Sequence, residues 1–212
     1  MGMDLTMAVA PGPTPGYRPQ HDDDPTYYRF RTPAMALMVQ VMRSAGVMSD
    51  EPAPEFPPWP PEGLPEDRVA LLEQAMSGGD AEALTTRERV FLEGMQHRLQ
   101  AARAMRSREP GKVPAFKFTS NDGWIVLASE CAAIARAVRE YATRITEHDL
   151  AALEREYDAR QKAMAAPMIA QGHVMLLGNE PLGLDLRELT IWLAEWAMYN
   201  EVASHHGGYR VD

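Results

Sequence analysis

The chain has 212 residues, one cysteine, and a formal net charge of -9 from 21 Lys+Arg and 30 Asp+Glu. One cysteine excludes an internal disulfide and a four-cysteine zinc or iron–sulfur site, so a reducing cytoplasm is the expected compartment. The acidic balance argues against binding to the phosphate backbone of nucleic acids. No apolar run approaches the roughly 20 residues that span a bilayer. We therefore expect neither a nucleic-acid partner nor a membrane.

Prolines divide the chain into two parts. Thirteen of the 17 prolines lie between Pro11 and Pro65. Because proline lacks a backbone donor, we expect residues 1–65 to be a Pro-rich segment, with one strand and one short helix, packed on the main domain. Apolar side chains at every second position predict that strand over residues 3–9. The main domain, residues 66–212, is expected to be a helical α+β core.

Helices are predicted from apolar spacing and from capping residues. The first is expected to begin at Thr32 and Pro33 and to end at Gly46. Thr85 and Glu88 have the spacing of a capping box at the start of another helix. The helices of the main domain are predicted over residues 66–77, 86–107, 129–145, 147–165 and 186–204.

One hairpin is predicted over residues 115–127. Two apolar strands, 115–118 and 124–127, flank a polar turn that contains Asp122 and Gly123, a pair typical of tight turns. Residues 209–211 are expected to add a short C-terminal strand. The predicted fold is α+β: a mostly helical single domain with a small antiparallel sheet made by the N-terminal strand, the 115–127 hairpin and the C-terminal strand.

The turn and the C-terminal tail together predict a ligand-binding surface. The turn carries polar side chains at the tip of a hairpin whose arms are apolar, and its aromatic residues would wall a pocket. Ordinary turn chemistry, in which Asn and Asp bond their own backbone, is the alternative explanation. The candidate ligand-binding residues are Ser120, Asn121, Asp122, Trp124, His205, His206 and Tyr209.

An enzyme is the alternative function. A hydrolase or transferase would use Ser120, Asn121 or Asp122 with His205 or His206, which requires a histidine within hydrogen-bond reach. The chain lacks the Walker A, GxGxxG and GxSxG motifs, so no catalytic residue is assigned and no cofactor is expected. Although Glu201 and His205 share a helical face, histidine at a helix C-terminus also suits the helix dipole. No metal site is therefore predicted.

The Pro-rich stretch 51–65 has two possible roles. Its composition favours polyproline II, which could dock a partner with an aromatic groove. The alternative is a stiff strap whose Phe56 and Trp59 pack on the protein's own surface, and we favour it because two exposed aromatic side chains would be unfavourable in water.

Several short motifs resemble a family of uncharacterised small proteins from actinobacteria and their phages. The motifs are Met1-Gly2-x-Asp4, Tyr28-Arg29-Phe30, the SNDGW turn at residues 120–124 and the HGGYRV tail at residues 206–211. The chain departs from the family pattern at residues 30–35, where relatives have an Asn and a Gly before the Met. The resemblance implies no established activity. It implies a cytoplasmic bacterial or phage accessory protein in which the hairpin and the C-terminal Gly-Gly lie together.

The leading functional hypothesis is a non-enzymatic binding protein. Its partner would be a small molecule or a protein that contacts the hairpin and the tail, so that the chain sequesters a ligand or blocks a partner. Methionine- and tryptophan-rich helices also leave room for a homodimer interface.

Overall fold

The structure of the protein, a computed structural model, describes residues 2–12, 14–20, 23–56, 58–60, 64–76, 82–170 and 185–212. Its helices are α1 (Thr32–Ser44), α2 (Glu66–Met76), α3 (Thr86–Arg103), α4 (Ala128–Ala142), α5 (Glu147–Ala170) and α6 (Leu186–His205). Its strands are β1 (Gly2–Met7), β2 (Tyr27–Arg31), β3 (Met48–Ser49), β4 (Val113–Pro114), β5 (Trp124–Leu127) and β6 (Gly208–Val211). The protein is α+β and mostly helical, which confirms the predicted fold class.

Four strands form an antiparallel sheet in the order β2-β1-β6-β5. The N-terminal and C-terminal strands are neighbours in this sheet, with Leu5 opposite Val211. Backbone hydrogen bonds between Asp4 and Asp212, both 2.8 Å, extend the pairing to the last residue. The strands β3 and β4 form a separate parallel pair. Both predicted terminal strands are therefore confirmed.

The predicted hairpin over residues 115–127 is wrong in its first arm. Ala115–Phe118 is a 3-10 helix, and β5 pairs with β6 rather than with it. The physical reason is burial, because all four side chains of this short helix are buried. A strand with one solvated face would instead expose every second residue.

The strand β2 was not predicted from the sequence. It lies between proline-rich stretches, and its five residues, Tyr27–Arg31, are a short run of aromatic and charged side chains. Its pairing partner β1 is more than 20 positions away in the chain, with Thr6 opposite Tyr27. Long-range pairing of this kind leaves little local signal.

Contacts divide the chain into two compact units, one made of Met1–Glu51 with Arg106–Asp212 and the other of Pro52–Met105. These units differ from the predicted division at residue 65. The sheet is the reason for the first unit, because β1 near the start of the chain pairs with β2 on one side and with β6, at the end of the chain, on the other.

The core of the first unit lies between the sheet and the pair α4 and α6, which pack closely against each other. Trp196 and Tyr199 of α6 are fully buried, and their rings stack at 5.7 Å. Tyr28 of β2 and Tyr209 of β6 complete this aromatic cluster, with their ring centroids 4.9 and 5.3 Å from that of Tyr199. The cluster joins α6 to two strands of the sheet.

The second unit has its own small core, made of Leu72, Ala75, Leu84 and Leu92. Trp59 of the Pro-rich stretch packs against this core, and its indole Nε1 donates to Glu73 Oε1 at 3.0 Å. The strap interpretation of that stretch is therefore confirmed for Trp59, while residues 57 and 61–63 lie outside the described part of the chain. The predicted capping box of α3 is also present, with the Glu88 N–H donating to Thr85 Oγ1 at 3.3 Å.

Candidate functional site

Ser120 and Thr119 of the 119–123 turn make hydrogen bonds to residues two and three positions away in the chain. The Ser120 hydroxyl donates to Asp122 Oδ2 at 2.5 Å, and Thr119 donates to the Phe116 carbonyl at 3.0 Å. Gly123 has φ +71°, a left-handed conformation that favours glycine. Asn121 and Asp122 are exposed. The contacts made by Ser120 and Thr119 are those of ordinary turn chemistry.

Trp124 does not wall a surface pocket. It is 2% exposed, its ring packs edge-on against Phe116 at 4.7 Å, and its indole Nε1 donates to Ser120 Oγ at 2.9 Å. Trp124 therefore belongs to the core, and its bond to Ser120 anchors the turn. The contact with a ligand that the sequence predicts for Trp124 is not available in this structure.

Tyr209 is also a core residue rather than part of an exposed tail. It is 1% exposed, and its hydroxyl donates to Asn200 Oδ1 at 3.2 Å. Asn200, itself fully buried, donates to the Trp196 carbonyl at 2.9 Å. Burial raises the pKa of Tyr209 well above its ordinary value of 10, so the phenol remains a hydrogen-bond donor.

Strand pairing joins the segment after the turn to the C-terminal tail, but it does not bring the predicted catalytic residues together. Strands β5 and β6 pair with Trp124 opposite Val211 and Leu127 opposite Gly208. The turn precedes Trp124 and the histidines precede Gly208, so they lie at opposite ends of the strand pair. Three residue steps of about 3.3 Å separate those ends by about 10 Å. The fold therefore does not bring His205 or His206 to Ser120 for direct proton transfer.

His205, the last residue of α6, lies in an open groove of about 630 Å³ between α4 and α6. Ala132 and Ala135 line this groove, and an exposed ion pair between Arg139 and Glu201 lies along it. His206 is half-buried. Within the described part of the chain, no group of three or more His, Cys, Asp or Glu residues is placed to hold a metal ion.

A buried ion pair between Lys117 and Glu130 was missed from the sequence. Lys117 is 0% exposed and Glu130 is 5% exposed. The Lys117 ammonium donates to Glu130 Oε2 and to the Ile125 carbonyl, both at 2.7 Å, and the Leu127 N–H donates to the same Glu130 oxygen at 2.8 Å. Burial lowers the pKa of Lys117, and the Glu130 carboxylate opposes that effect.

The sequence contains one weak signal for this pair, which is a lysine between two aromatic residues, Phe116 and Phe118. The alternation of apolar and polar residues suggests that Lys117 lies on the solvated face of a strand, and so it hides the burial of Lys117. Glu130 reads as an ordinary acid in the first turn of a helix, where it suits the dipole. Because the contact depends on how the 3-10 helix packs beside β5 and the start of α4, periodicity within either segment cannot reveal it.

A cavity of about 220 Å³ lies beside this ion pair. The loop 106–112 forms one wall, and the first turns of α4, from Ser129 to Ala133, form the other. Glu130 lines the cavity, and its second oxygen, Oε1, is buried without a hydrogen-bond partner among the described residues. Arg106 and Lys112 bring positive charge to the lining, and Glu109 brings a negative charge. The cavity thus has charged side chains of both signs beside a buried ion pair.

The start of α4 forms part of the cavity wall at Ser129 and Glu130. Leu127, the residue before the helix, has a hydrocarbon side chain and offers no acceptor to the first turn. The Glu130 carboxylate, in the first turn, accepts from the Leu127 N–H at 2.8 Å instead. Its negative charge offsets the positive end of the helix dipole at this wall.

No protein-family model, curated protein or solved structure matches this chain. The resemblance to actinobacterial and phage proteins therefore stays a prediction. Among the described residues, no helix is long and apolar enough to cross a membrane.

Proposed function

We propose that this chain is a non-enzymatic binding protein that holds a small polar ligand in the cavity beside Glu130. One observation carries the proposal: a cavity of about 220 Å³ lies against the buried Lys117–Glu130 ion pair and is lined by charged side chains of both signs, Arg106, Glu109, Lys112 and Glu130. Charged and polar groups on a cavity wall give a polar ligand its hydrogen-bond partners.

The ion pair fixes one wall of the cavity. Lys117 and the Leu127 N–H both bind Glu130 Oε2, so this wall residue is held in place before a ligand arrives. A wall that is already ordered loses no side-chain entropy on binding, which favours affinity. Arg106 makes no ion pair with a described residue, so its guanidinium is available to a ligand at the rim.

The proposed site differs from the predicted surface. Of the residues predicted from the sequence, five remain at least partly accessible, and ligand binding by them stays a prediction: Ser120, Asn121, Asp122, His205 and His206. The register of β5 and β6 argues against the enzyme alternative, because it places the turn and the histidines at opposite ends of the strand pair. Sequestration of a small molecule remains part of the proposal.

Native mass spectrometry of the full chain purified from its own host, before and after incubation with host extract, tests the proposal. We expect a non-covalent adduct that disappears on denaturation. Ser129→Phe places a bulky side chain at an exposed cavity position, and we expect it to abolish the adduct. Ala132→Phe, at another exposed position of α4, fills the groove near His205 instead, and it should leave the adduct unchanged.

The two variants separate the outcomes. An adduct lost in Ala132→Phe and retained in Ser129→Phe would place the ligand in the α4–α6 groove and overturn the proposed site. A clean mass in the wild-type protein, with no change on adding host extract, would overturn small-molecule binding altogether.

A further inference from the structure

We infer that the groove between α4 and α6 is the interface of a symmetric homodimer, in which a second copy of this chain packs its own α4 against the groove. This interface is separate from the proposed ligand site, because the groove and the Glu130 cavity share no lining residue. Three features of the groove point to a second copy: its length along α6, the apolar groups exposed in it, and two unpaired charges of opposite sign on α4.

The groove follows one face of α6 for nearly the whole helix. Near the C-terminal end of α6 its volume is about 630 Å³, and Glu201 and His205 line it opposite α4. Near the N-terminal end a second open groove, of about 760 Å³, is lined by Arg187, Ile191 and Ala194. These five positions are three, four or seven residues apart, so they share one helical face. Because α6 has 20 residues and is about 30 Å long, this face can receive a whole helix.

Apolar groups are exposed on this face of α6 and beside it on α4. Ile191 is 51% exposed, and Ala194 and Ala132 are exposed as well. Ala132 and Ala135 line the groove on its α4 side, and their small side chains allow a second helix to approach. Burial of apolar surface favours association. A helix packed along the groove therefore gains free energy from covering these groups.

Two unpaired charges on α4 indicate which helix packs there. Arg136 and Glu140 are both exposed and line the groove, and neither makes an ion pair or a side-chain hydrogen bond with a described residue. They are four residues apart, so they lie on the same face of α4. When two copies of α4 pack antiparallel about a two-fold axis midway between these positions, Arg136 of each copy faces Glu140 of the other. A two-fold interface is self-complementary in this way, and both pairs form together.

The arrangement of charge favours a second copy over a partner whose charges have one sign. Such a partner would meet repulsion at either Arg136 or Glu140, and like charges placed opposite each other select against a partner. Arg139 is already paired with Glu201 across the groove, so it does not change this balance. In the dimer the apolar groups supply most of the affinity, and the two ion pairs fix the register of the helices.

Charge-reversal variants, measured alone and mixed, test the interface. Sedimentation velocity of the full chain over a concentration series up to about 100 μM measures dimerisation. We expect the wild-type protein to dimerise. Arg136→Glu and Glu140→Arg should each weaken dimerisation at least about tenfold, because each places like charges opposite each other. An equimolar mixture of the two variants should form a heterodimer, because one then carries two acids and the other two bases at the facing positions.

Arg155→Glu is the matched control. It makes the same change in net charge at an exposed position of α5 that does not line the groove. Its dimerisation should stay within about twofold of the wild type. All three substituted side chains are exposed, so the variants are expected to fold, and circular dichroism checks that they do.

Four results would overturn the inference: a wild-type monomer at every concentration, a dimer that neither reversal weakens, reversal variants that stay monomeric when mixed, or an equal loss of dimer in Arg155→Glu. The native adduct and its loss in Ser129→Phe report on the Glu130 cavity instead. The dimer and the proposed ligand site can therefore fail independently.

Discussion

Lys117 is a charged residue whose side chain is fully buried, and its contacts indicate its structural role. Its ammonium binds the Ile125 carbonyl while Glu130 binds the Leu127 N–H. Those two backbone groups belong to β5, an edge strand of the sheet. The ion pair thus satisfies the edge of β5 as the backbone of a further strand would.

Lys117→Met is expected to lower the free energy of unfolding by about 3–5 kcal/mol, because it leaves the Glu130 carboxylate buried without its cation. Urea denaturation followed by circular dichroism measures the change. The double variant Lys117→Met with Glu130→Gln removes both charges and should recover much of the loss. A single variant as stable as the wild type would show that the pair has no structural role.

The sequence predicts the contacts of single residues well where those contacts are local, and poorly where they are not. Ser120, Thr119 and Gly123 behave as turn chemistry predicts, because their contacts are local. Trp124 was predicted to wall a ligand site, and it is buried in the core instead. Its ring packs against Phe116 of the 3-10 helix, a contact that the predicted pair of strands does not contain.

The connection from α6 to β6 depends on two consecutive glycines. Gly207 and Gly208 have φ +86° and +90°, in the region that favours glycine. A Cβ on Gly208 would lie 2.1 Å from the Val126 carbonyl oxygen. The sequence signal at this point, two glycines after a helix, correctly predicts the end of α6, but the close approach to β5 emerges only from the sheet.

Gly208→Ala is expected to cost more than about 3 kcal/mol of stability, since it combines backbone strain with a clash against a paired strand. Gly111→Ala is the matched control. Its φ is +77°, and a Cβ there meets nothing within 4 Å, so only the strain of about 1–2 kcal/mol applies. Thermal unfolding compares the two variants, and equal losses would contradict the clash.

At the other sheet edge, β2, the Gln20 side chain binds the backbone of Arg29. The Gln20 amide donates to the Arg29 carbonyl at 3.2 Å, and its oxygen accepts from the Arg29 N–H at 2.7 Å. Exposed strand edges invite pairing with another chain. The Gln20 amide therefore occupies two backbone groups of β2 that such pairing would use.

Gln20→Ala should expose this edge and increase self-association. Sedimentation velocity over a concentration series measures the effect. Gln100→Ala, an exposed glutamine on α3, is the control and should not change the sedimentation profile. A Gln20→Ala protein that sediments like the wild type at every concentration would show that the edge needs no cover.

Elements with their own caps are the ones that the sequence predicts best. The helices α3 and α6 begin at residues whose side chains accept a hydrogen bond from the third helical position, and both were placed within a few residues. The 3-10 helix Ala115–Phe118 was mistaken for a strand, because its period-two pattern of aromatic side chains imitates one. The segment is a 3-10 helix despite this local pattern, because all four of its side chains are buried in the folded protein.

At the scale of the whole molecule, the aromatic cluster connects α6 to the sheet. Burial raises the pKa values of Tyr28, Tyr199 and Tyr209 above the ordinary value of 10. A raised pKa of this kind contributes stability that is fully present below the unfolded value, near 10, and is lost as the pH rises above it. Lys117, whose pKa is lowered, acts in the opposite direction, but only below its own unfolded value near 10.4.

The protein is therefore expected to lose stability as the pH rises from about 10 to about 11, with each tyrosine contributing up to about 1.4 kcal/mol per pH unit. Urea midpoints measured across this range test the expectation. Tyr199→Phe removes one titrating group and should make the dependence shallower. An identical slope in both proteins would show that the buried phenols do not control alkaline unfolding.

Burial across the whole fold also distinguishes two candidate binding surfaces. The sequence predicts one at the 119–123 turn and the tail, where polar and aromatic residues cluster in the chain. The fold turns the aromatic members inward and forms a cavity between the loop 106–112 and the start of α4, beside an ion pair that no sequence motif predicts. Charged side chains of both signs line this cavity.

Chemical-shift mapping by NMR distinguishes these surfaces most directly. Backbone amide spectra of the full chain are recorded before and after adding host extract. We predict shifts concentrated in the loop 106–112 and at residues 128–130 of α4, with the turn and the histidines unaffected. Shifts concentrated at residues 119–123 and 205–209, with none around Glu130, would contradict the proposed binding site.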